Sequence, residues 1–375
     1  MSLLPSLTSS SPITPLHHGQ PRLITAENDI DAVLTWLREY EDSPHTFASY
    51  RKETERFLMW MAEQKRTLSQ LSRNDLMDFE RFLANPQPAE RWIGPAVARH
   101  HPNWRPFTKP LQPSSIQQTL VILSGLFRYL NEAGYLQGNP LALAKRTKRA
   151  LTKKVQTVER YLDQTLWQCV LETLAHLPQD TEKERAHAVR SNWLFSLLYL
   201  TGARRSEVAD AVMGDIFVRR GQWWWRVIGK GNKEGEIPIN DELLQQLVRY
   251  RTAIGLPQYP HPRENIPLVG RLSEKGQWNC LSSKSIYLIT KSIFEQAAQY
   301  AEQQQQFDIA FRLRTASTHW LRHTSASHQL EAGIPLLVVS QNLRHSNIET
   351  TRRYLHTDNE TRHQASQALR FDRTK

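Results

Sequence analysis

Between residues 317 and 356 the chain reads STHWLRHTSASHQLEAGIPLLVVSQNLRHSNIETTRRYLH. Two clusters there, separated by an apolar run, hold His319, Arg322, His323, Arg344, His345, Arg352, Arg353, Tyr354 and His356. A solvated charge run needs no such number of histidines, and a hydrophobic core needs no arginines. Guanidinium groups and imidazoles gathered in this way fit the handling of an anion, above all a phosphate, whose oxygens match the planar guanidinium fork.

Two further segments carry related groups. In TGARRSEV, Arg204 emerges beside a helix end closed by Gly202, with Glu207 three residues on and able to pair with an arginine. Alone, Arg204 reads as a surface or capping arginine; braced by local structure, it is a fork for two phosphate oxygens. Lys230 sits at the tip of a hairpin in IGKGN, where a lysine is ordinarily just exposed, although a glycine-flanked tip also fits beside a nucleic-acid strand. Trp223, Trp224 and Trp225 read as strand packing with one face outward.

The elements that position these groups follow from spacing. On a helix, His319, Arg322 and His323 share a face. Ser317 or Thr318 can cap that helix, Gly333 ends it, and Pro335 opens the next, which carries Leu336, Leu337, Val338 and Leu343. Upstream, helices are expected at about 163–176 and 183–200, then two strands in QWWWRVIGKGNKEGEIPI around a Gly-Asn turn, and helix thereafter. Residues 27–140 show helical periodicity: DIDAVLTWLREY, TFASYRKETERFLMWMAEQ and RNDLMDFERFLAN (capped by Ser72 or Asn74) precede a Pro- and Trp-rich loop over 85–113, and a further helix ends near Gly134 or Gly138. The organisation expected is a flexible leader (1–26), a helical domain (27–140, with the inserted loop 85–113), a basic linker (141–158), a second domain (159–357) and a tail (358–375) that can start a short helix at Asp358 or Asn359. In the linker, Lys145, Arg146, Lys148, Arg149, Lys153 and Lys154 come without an acidic residue; they make either a solvated tether or a track for a phosphate backbone.

Composition sets the frame. Its 375 residues leave room for two domains, and 39% hydrophobic with 23% charged residues is globular rather than disordered. Forty-eight Lys and Arg against 37 Asp and Glu give +11, a footprint expected for a nucleic-acid partner. Cys169 and Cys280 have neither metal-ligand spacing nor a disulfide pattern. The first residues lack a signal peptide's basic and apolar regions, and WLFSLLYL is too short for a bilayer; a cytoplasmic protein without a membrane partner is expected.

Taken in order, Arg204, Lys230, His319, Arg322, His345 and Tyr354, the last nine residues after His345, resemble the tyrosine recombinase (phage integrase) family in its Xer-like, integrase-type form. The resemblance runs over roughly 27–370 and is most specific in 201–239 and 317–356. It implies a mainly α fold with a small β-sheet (α+β): a helical, SAM-like core-binding domain plus a catalytic domain, closing on DNA as a C-shaped clamp. It further implies a site-specific recombinase in which Tyr354 attacks a DNA phosphodiester, giving a 3′-phosphotyrosyl link and a free 5′-hydroxyl. Since tyrosine has an ordinary pKa of about 10, its surroundings must help to remove the proton. By the same resemblance Arg204 and Arg322 clamp the non-bridging oxygens, His319 acts as acid or base, Lys230 protonates the 5′-oxygen and His345 donates to the phosphate, with no metal and no cofactor. Partners so implied are a DNA duplex with a specific core site, further copies of the chain up to a tetramer, and a second recombinase or accessory protein; no separate arm-binding domain is expected before residue 27. Three positions depart from the family's pattern: Arg344 where glycine is usual, Arg205 where an apolar residue is, and Gly235 where a basic residue often follows the lysine turn. Arg344 is tolerable there if its backbone is not left-handed, and it is expected to add a phosphate contact. The alternatives are a non-catalytic DNA-binding regulatory factor on the same scaffold, or a type IB-like nicking-resealing enzyme.

Overall fold

The computed structural model describes residues 22–142, 160–229, 233–272, 277–345, 347–352 and 354. The six basic linker residues, Lys230, Arg353, His356 and the 358–375 tail lie outside the described residues. The chain divides into two compact units, Met1–Leu151 and Thr152–Lys375.

The first unit is helical: α1 (Asp29–Arg38), α2 (Pro44–Glu63), α3 (Arg73–Ala84), α4 (Ala89–Trp92) and α5 (Pro113–Glu132). Local chemistry sets the ends. The Asn28 side chain accepts from Asp31 N, Ser72 and Asp75 form a reciprocal capping box, Pro44 and Pro113 occupy first-turn positions, and Gly134 takes φ 69° beyond α5. The apolar faces bury Trp36, Phe57, Trp60, Phe79, Phe127 and Leu130, each worth roughly 1.5–3 kcal/mol of transfer free energy. Asp29 is buried with them, its carboxylate accepting from Leu68 N (2.7 Å) and the Tyr135 hydroxyl (2.8 Å), so α1 is tied to both ends of the unit's core.

Residues 85–113, expected as a plain loop, are an ordered excursion. It contains α4, and Trp92 and Phe107 are buried in the aromatic core. Arg56 of α2 reaches across, donating to Pro106 O (3.0 Å) with its guanidinium over the Phe107 ring.

The second unit comprises α6 (Gln164–Ala175), α7 (Glu182–Thr201), α8 (Arg205–Ala209), β1 (Ile216–Arg219), β2 (Gln222–Gly229), β3 (Lys233–Pro238), α9 (Asp241–Ala253), β4 (Gly270–Leu272), β5 (Trp278–Cys280), α10 (Ser283–Gln303), α11 (Phe307–Thr315), α12 (Thr318–Glu331), α13 (Leu336–Asn342) and α14 (Glu349–Arg352). The antiparallel sheet β1–β2–β3 pairs Trp225 with Ile216 on one side and Ile237 on the other. Two strands were expected; β1 joins them through a two-residue turn in which Arg220 (φ 53°) and Gly221 (φ 76°) both have positive φ, the twist that suits a tight hairpin. The β4–β5 pair also replaces expected helix, and each of its strands has only three residues, too few to show alternation.

Trp225 and Val227 face the core, while Trp223 stacks on Tyr259 and Trp224 lies beneath the Arg219 guanidinium. That core is built from Leu166, Trp193, Leu194, Phe195, Leu198, Ile293 and Phe294, with the Trp193 indole donating to Leu268 O (2.8 Å). Arg251, with no exposed surface, is answered by Glu264 at 2.8 and 3.0 Å and by the carbonyls of Pro257 and Tyr259. Among the described residues no helix is long and apolar enough to cross a membrane.

Candidate active site

Helix α7 stops because Gly202 takes φ 59°, a left-handed conformation that an L side chain adopts at a cost. A Cβ there would also overlap the Leu343 side chain, so Gly202 is required twice over. The turn delivers Arg204 as the N-cap of α8. Glu207, in the first turn of α8, accepts from Arg204 N (2.6 Å) and from Arg204 Nη1 (2.8 Å), leaving the Arg204 side chain 39% exposed.

Helix α12 places His319, Arg322 and His323 on one face, as their spacing requires. Ser317 is its N-cap by backbone conformation but makes no side-chain capping bond. Arg322 is buried and donates from Nη1 to Gly202 O (2.5 Å) and from Nη2 to Leu343 O. It therefore joins the end of α7 to the turn after α13. The His319 and His323 rings stand edge to face, 4.2 Å between centroids.

Tyr354, 4% exposed, packs its ring with Ala326, Val339 and Leu343. Its hydroxyl lies 2.5 Å from His323 Nδ1. His345 stacks on the same ring at 6.4 Å and holds Thr351 Oγ1 at 2.7 Å through Nδ1, which fixes the ring's orientation. Arg204, His319, Arg322, His345 and Tyr354 are thus linked, directly or through Glu207, Arg344, Leu343 and His323, into one cluster. Lys230 lies outside the described residues.

Electrostatics distinguishes this cluster. Burial lowers the Arg322 guanidinium to about 10, aided by Arg204 and Arg344, yet leaves it charged at neutral pH. Burial, with His319, Arg322 and His345 nearby, drives His323 down to about 3; burial with Arg322, Arg204 and Arg344 drives His345 to about 4; His319 is lowered by burial and by Arg322. These imidazoles are neutral at pH 7. In its Nε2-protonated tautomer a neutral His323 accepts through Nδ1 from the Tyr354 hydroxyl. Glu207 is raised by burial, but Arg344 and Arg204 outweigh that and hold it low, hence ionised. The arrangement can hold an anion against several cations beside a tyrosine hydroxyl that is hydrogen-bonded to a neutral imidazole.

The condition set for Arg344 is not met. Its backbone is left-handed, φ 53°, at a cost of about 1–2 kcal/mol for an L residue. Its guanidinium turns to Glu207 (2.5 Å) and Asn342 O (2.9 Å). Arg205, the second departure, is accommodated at the surface, donating to Ser283 Oγ (2.8 Å) with its guanidinium over Tyr287. The sequence shows His323 among the histidines but does not show its contact with Tyr354. Its position four residues after His319, on the same helix face, was the signal that could have found it.

Residues 165–361 match the phage integrase family. The chain is 28% identical to tyrosine recombinase XerD of Rickettsia conorii over 81% of its own length and 92% of that protein's. With tyrosine recombinase XerC of Pelobacter propionicus it shares 24% identity over 84% and 85%. In fold it is similar to XerH site-specific recombinase bound to difH substrate (16% identical, TM-score 0.57, covering 89% of this chain and 83% of that one) and to the Tn1549 transposon integrase in complex with circular intermediate DNA (16%, TM-score 0.56, 90% and 98%). The matched stretch takes in more than half of the sequence and every residue of the cluster just described, and the chain belongs to the phage integrase family.

Proposed function

We propose that the chain is a site-specific DNA recombinase that cleaves and rejoins strands through Tyr354. The observation that carries this reading is the Tyr354 hydroxyl resting 2.5 Å from a neutral imidazole, within a cluster rich in buried cations. The Tyr354 oxygen attacks the phosphorus, the bond to the 5′-oxygen breaks, and a 3′-phosphotyrosyl link forms; the 5′-oxygen leaves with a proton from Lys230. A 5′-hydroxyl from the exchanged strand then reverses the step, so the bond energy is kept and no external energy source is needed. Arg204 and Arg322 hold the non-bridging oxygens and stabilise the charge that builds there, His345 donates a further hydrogen bond, and His319 serves as acid or base.

His323 holds the hydroxyl. With its pKa at about 3 it is far too weak a base to deprotonate a tyrosine before DNA arrives. Burial is the larger cause of that depression and neighbouring positive charge the smaller. A phosphate entering beside Arg322 and His319 offsets the second, so the basicity of His323 rises when the substrate is in place. The nucleophile is accordingly parked in the free protein and released by its target.

The helical unit, as a core-binding domain, and the basic linker add phosphate contacts on a specific core site, so affinity falls steeply with salt. The 159–357 region is the catalytic domain, acting in the cytoplasm. Four copies assemble on paired sites, with the tail docking on a neighbouring protomer and a second recombinase or accessory protein as a further partner. Family membership and the recombinase names of its relatives support the reaction class. The test is a nicked suicide duplex incubated with wild type and with Tyr354→Phe, followed by a denaturing protein gel. A covalent band in wild type that is absent in Tyr354→Phe is expected; DNA binding without a band in either protein would favour the regulatory-factor reading.

A further inference from the structure

We propose that Arg344 is a positioning residue for strand cleavage: laid across Gly235, its guanidinium pins Glu207, and Glu207 in turn aims Arg204 at the scissile phosphate. The proposal rests on the recombinase reading for the identity of that phosphate. Its geometry stands independently.

Both anchors of Arg204 run through one carboxylate. Glu207 Oε2 accepts from Arg204 N (2.6 Å) and from Arg344 Nη2 (2.5 Å), and Oε1 accepts from Arg204 Nη1 (2.8 Å). That carboxylate is 2% exposed, so protein groups rather than water decide its direction. Two guanidiniums on one carboxylate leave one net positive charge. Without Arg344, Arg204 and Glu207 would form a neutral pair with a weaker pull on a phosphate.

The path of the Arg344 side chain depends on Gly235. A Cβ built at 235 would lie 2.7 Å from Arg344 Cδ, midway along a side chain whose far end is bound to Glu207. Gly235 faces Val227 in the β2–β3 register, so the strand itself cannot easily move aside. The resemblance expects glycine at 344 and a cation at 235. Here the two residue types stand in each other's places, and each makes sense of the other. Arg344 also sits between Leu343, whose carbonyl binds Arg322, and His345, so the same ion pair steadies the turn that presents two more site residues.

The experiment uses the full chain and a nicked suicide duplex selected from a randomised pool by its cleavage with wild type. Arg344→Gly relaxes the left-handed backbone and is expected to fold. Its single-turnover cleavage should fall about 10- to 100-fold, the range typical of outer partners that orient a reactive group, with duplex affinity within about twofold. Arg344→Lys should recover part of the rate, since a point charge can still reach Glu207. Gly235→Ala should slow cleavage and lower the Tm in the wild-type background but do neither in Arg344→Gly, the signature of two coupled sites. Cleavage by Arg344→Gly at the wild-type rate, or a Gly235→Ala effect equal in both backgrounds, overturns the proposal. If wild type cleaves nothing in the pool, the recombinase reading fails, while the Tm cycle on DNA-free protein still decides whether Arg344 and Gly235 are coupled as described.

Discussion

Both units set arginines against buried glutamates, and the two sets do different work. In the first unit Glu53 is gripped by Arg56 (3.1 Å) and Lys52 (3.0 Å), and Glu55 by Arg51 (3.2 Å) and by Arg99 from the 85–113 excursion. Every one of those cations meets a carboxylate, and the Arg99–Glu55 pair fastens the excursion to α2. Around Tyr354 the balance is different. Arg322 has no carboxylate within ion-pair distance among the described residues, three imidazoles crowd it, and Glu207 alone answers both Arg204 and Arg344. Cations packed against cations raise the free energy of the fold, and a bound anion releases that excess. Buried charge matched by opposite charge is scaffold; buried charge of one sign marks where an anion is to be handled.

The sharpest way to break this contrast is to treat a scaffold arginine and a site arginine alike. Arg322→Met should reduce cleavage about 10³-fold, roughly 4 kcal/mol of transition-state stabilisation, while lowering the Tm less than Arg251→Met does. Arg251→Met strands Glu264 and should cost about 3–5 kcal/mol of stability. Equal Tm losses would erase the distinction. Next in size, His323→Asn should slow cleavage about 10- to 100-fold and change the pH dependence of its rate, with DNA affinity retained.

The same histidines give a stability signature. His323 and His345 have folded pKa values of about 3 and 4, below the ordinary 6.5, so between those values the unfolded chain binds protons that the folded chain refuses. No penalty exists above pH 6.5, and it accumulates as the pH falls toward 4, at no more than about 1.4 kcal/mol per pH unit for each group. Urea titrations of DNA-free protein should show this loss, and His323→Asn should remove its share. The smallest effect belongs to the scaffold: Arg99→Ala should cost about 1 kcal/mol of stability and leave the cleavage rate of bound complexes unchanged.

How much of this the sequence displays depends on how far each residue's partners lie. The shared face of His319, Arg322 and His323 and the stop at Gly202 are legible because helix periodicity and glycine chemistry act within a few residues. Strand β1 is hidden because its turn is Arg220-Gly221 rather than the Asn-Gly expected of a hairpin, and because four residues barely alternate. The order of 85–113 depends on Arg56, Trp92 and Phe107 meeting across the fold, which no local pattern records. Arg344 is the clearest case: its left-handed backbone is sustained by Glu207, 137 residues away, and by a gap at Gly235. Both departures were visible one at a time; only the structure couples them.

The most direct test of the central claim is to locate the DNA on the protein. A suicide-substrate adduct digested with nuclease and trypsin and read by mass spectrometry should carry a nucleotide, linked through its 3′-phosphate, on the peptide that contains Tyr354. An adduct on any other residue, or DNA cleaved with no adduct at all, would contradict the account.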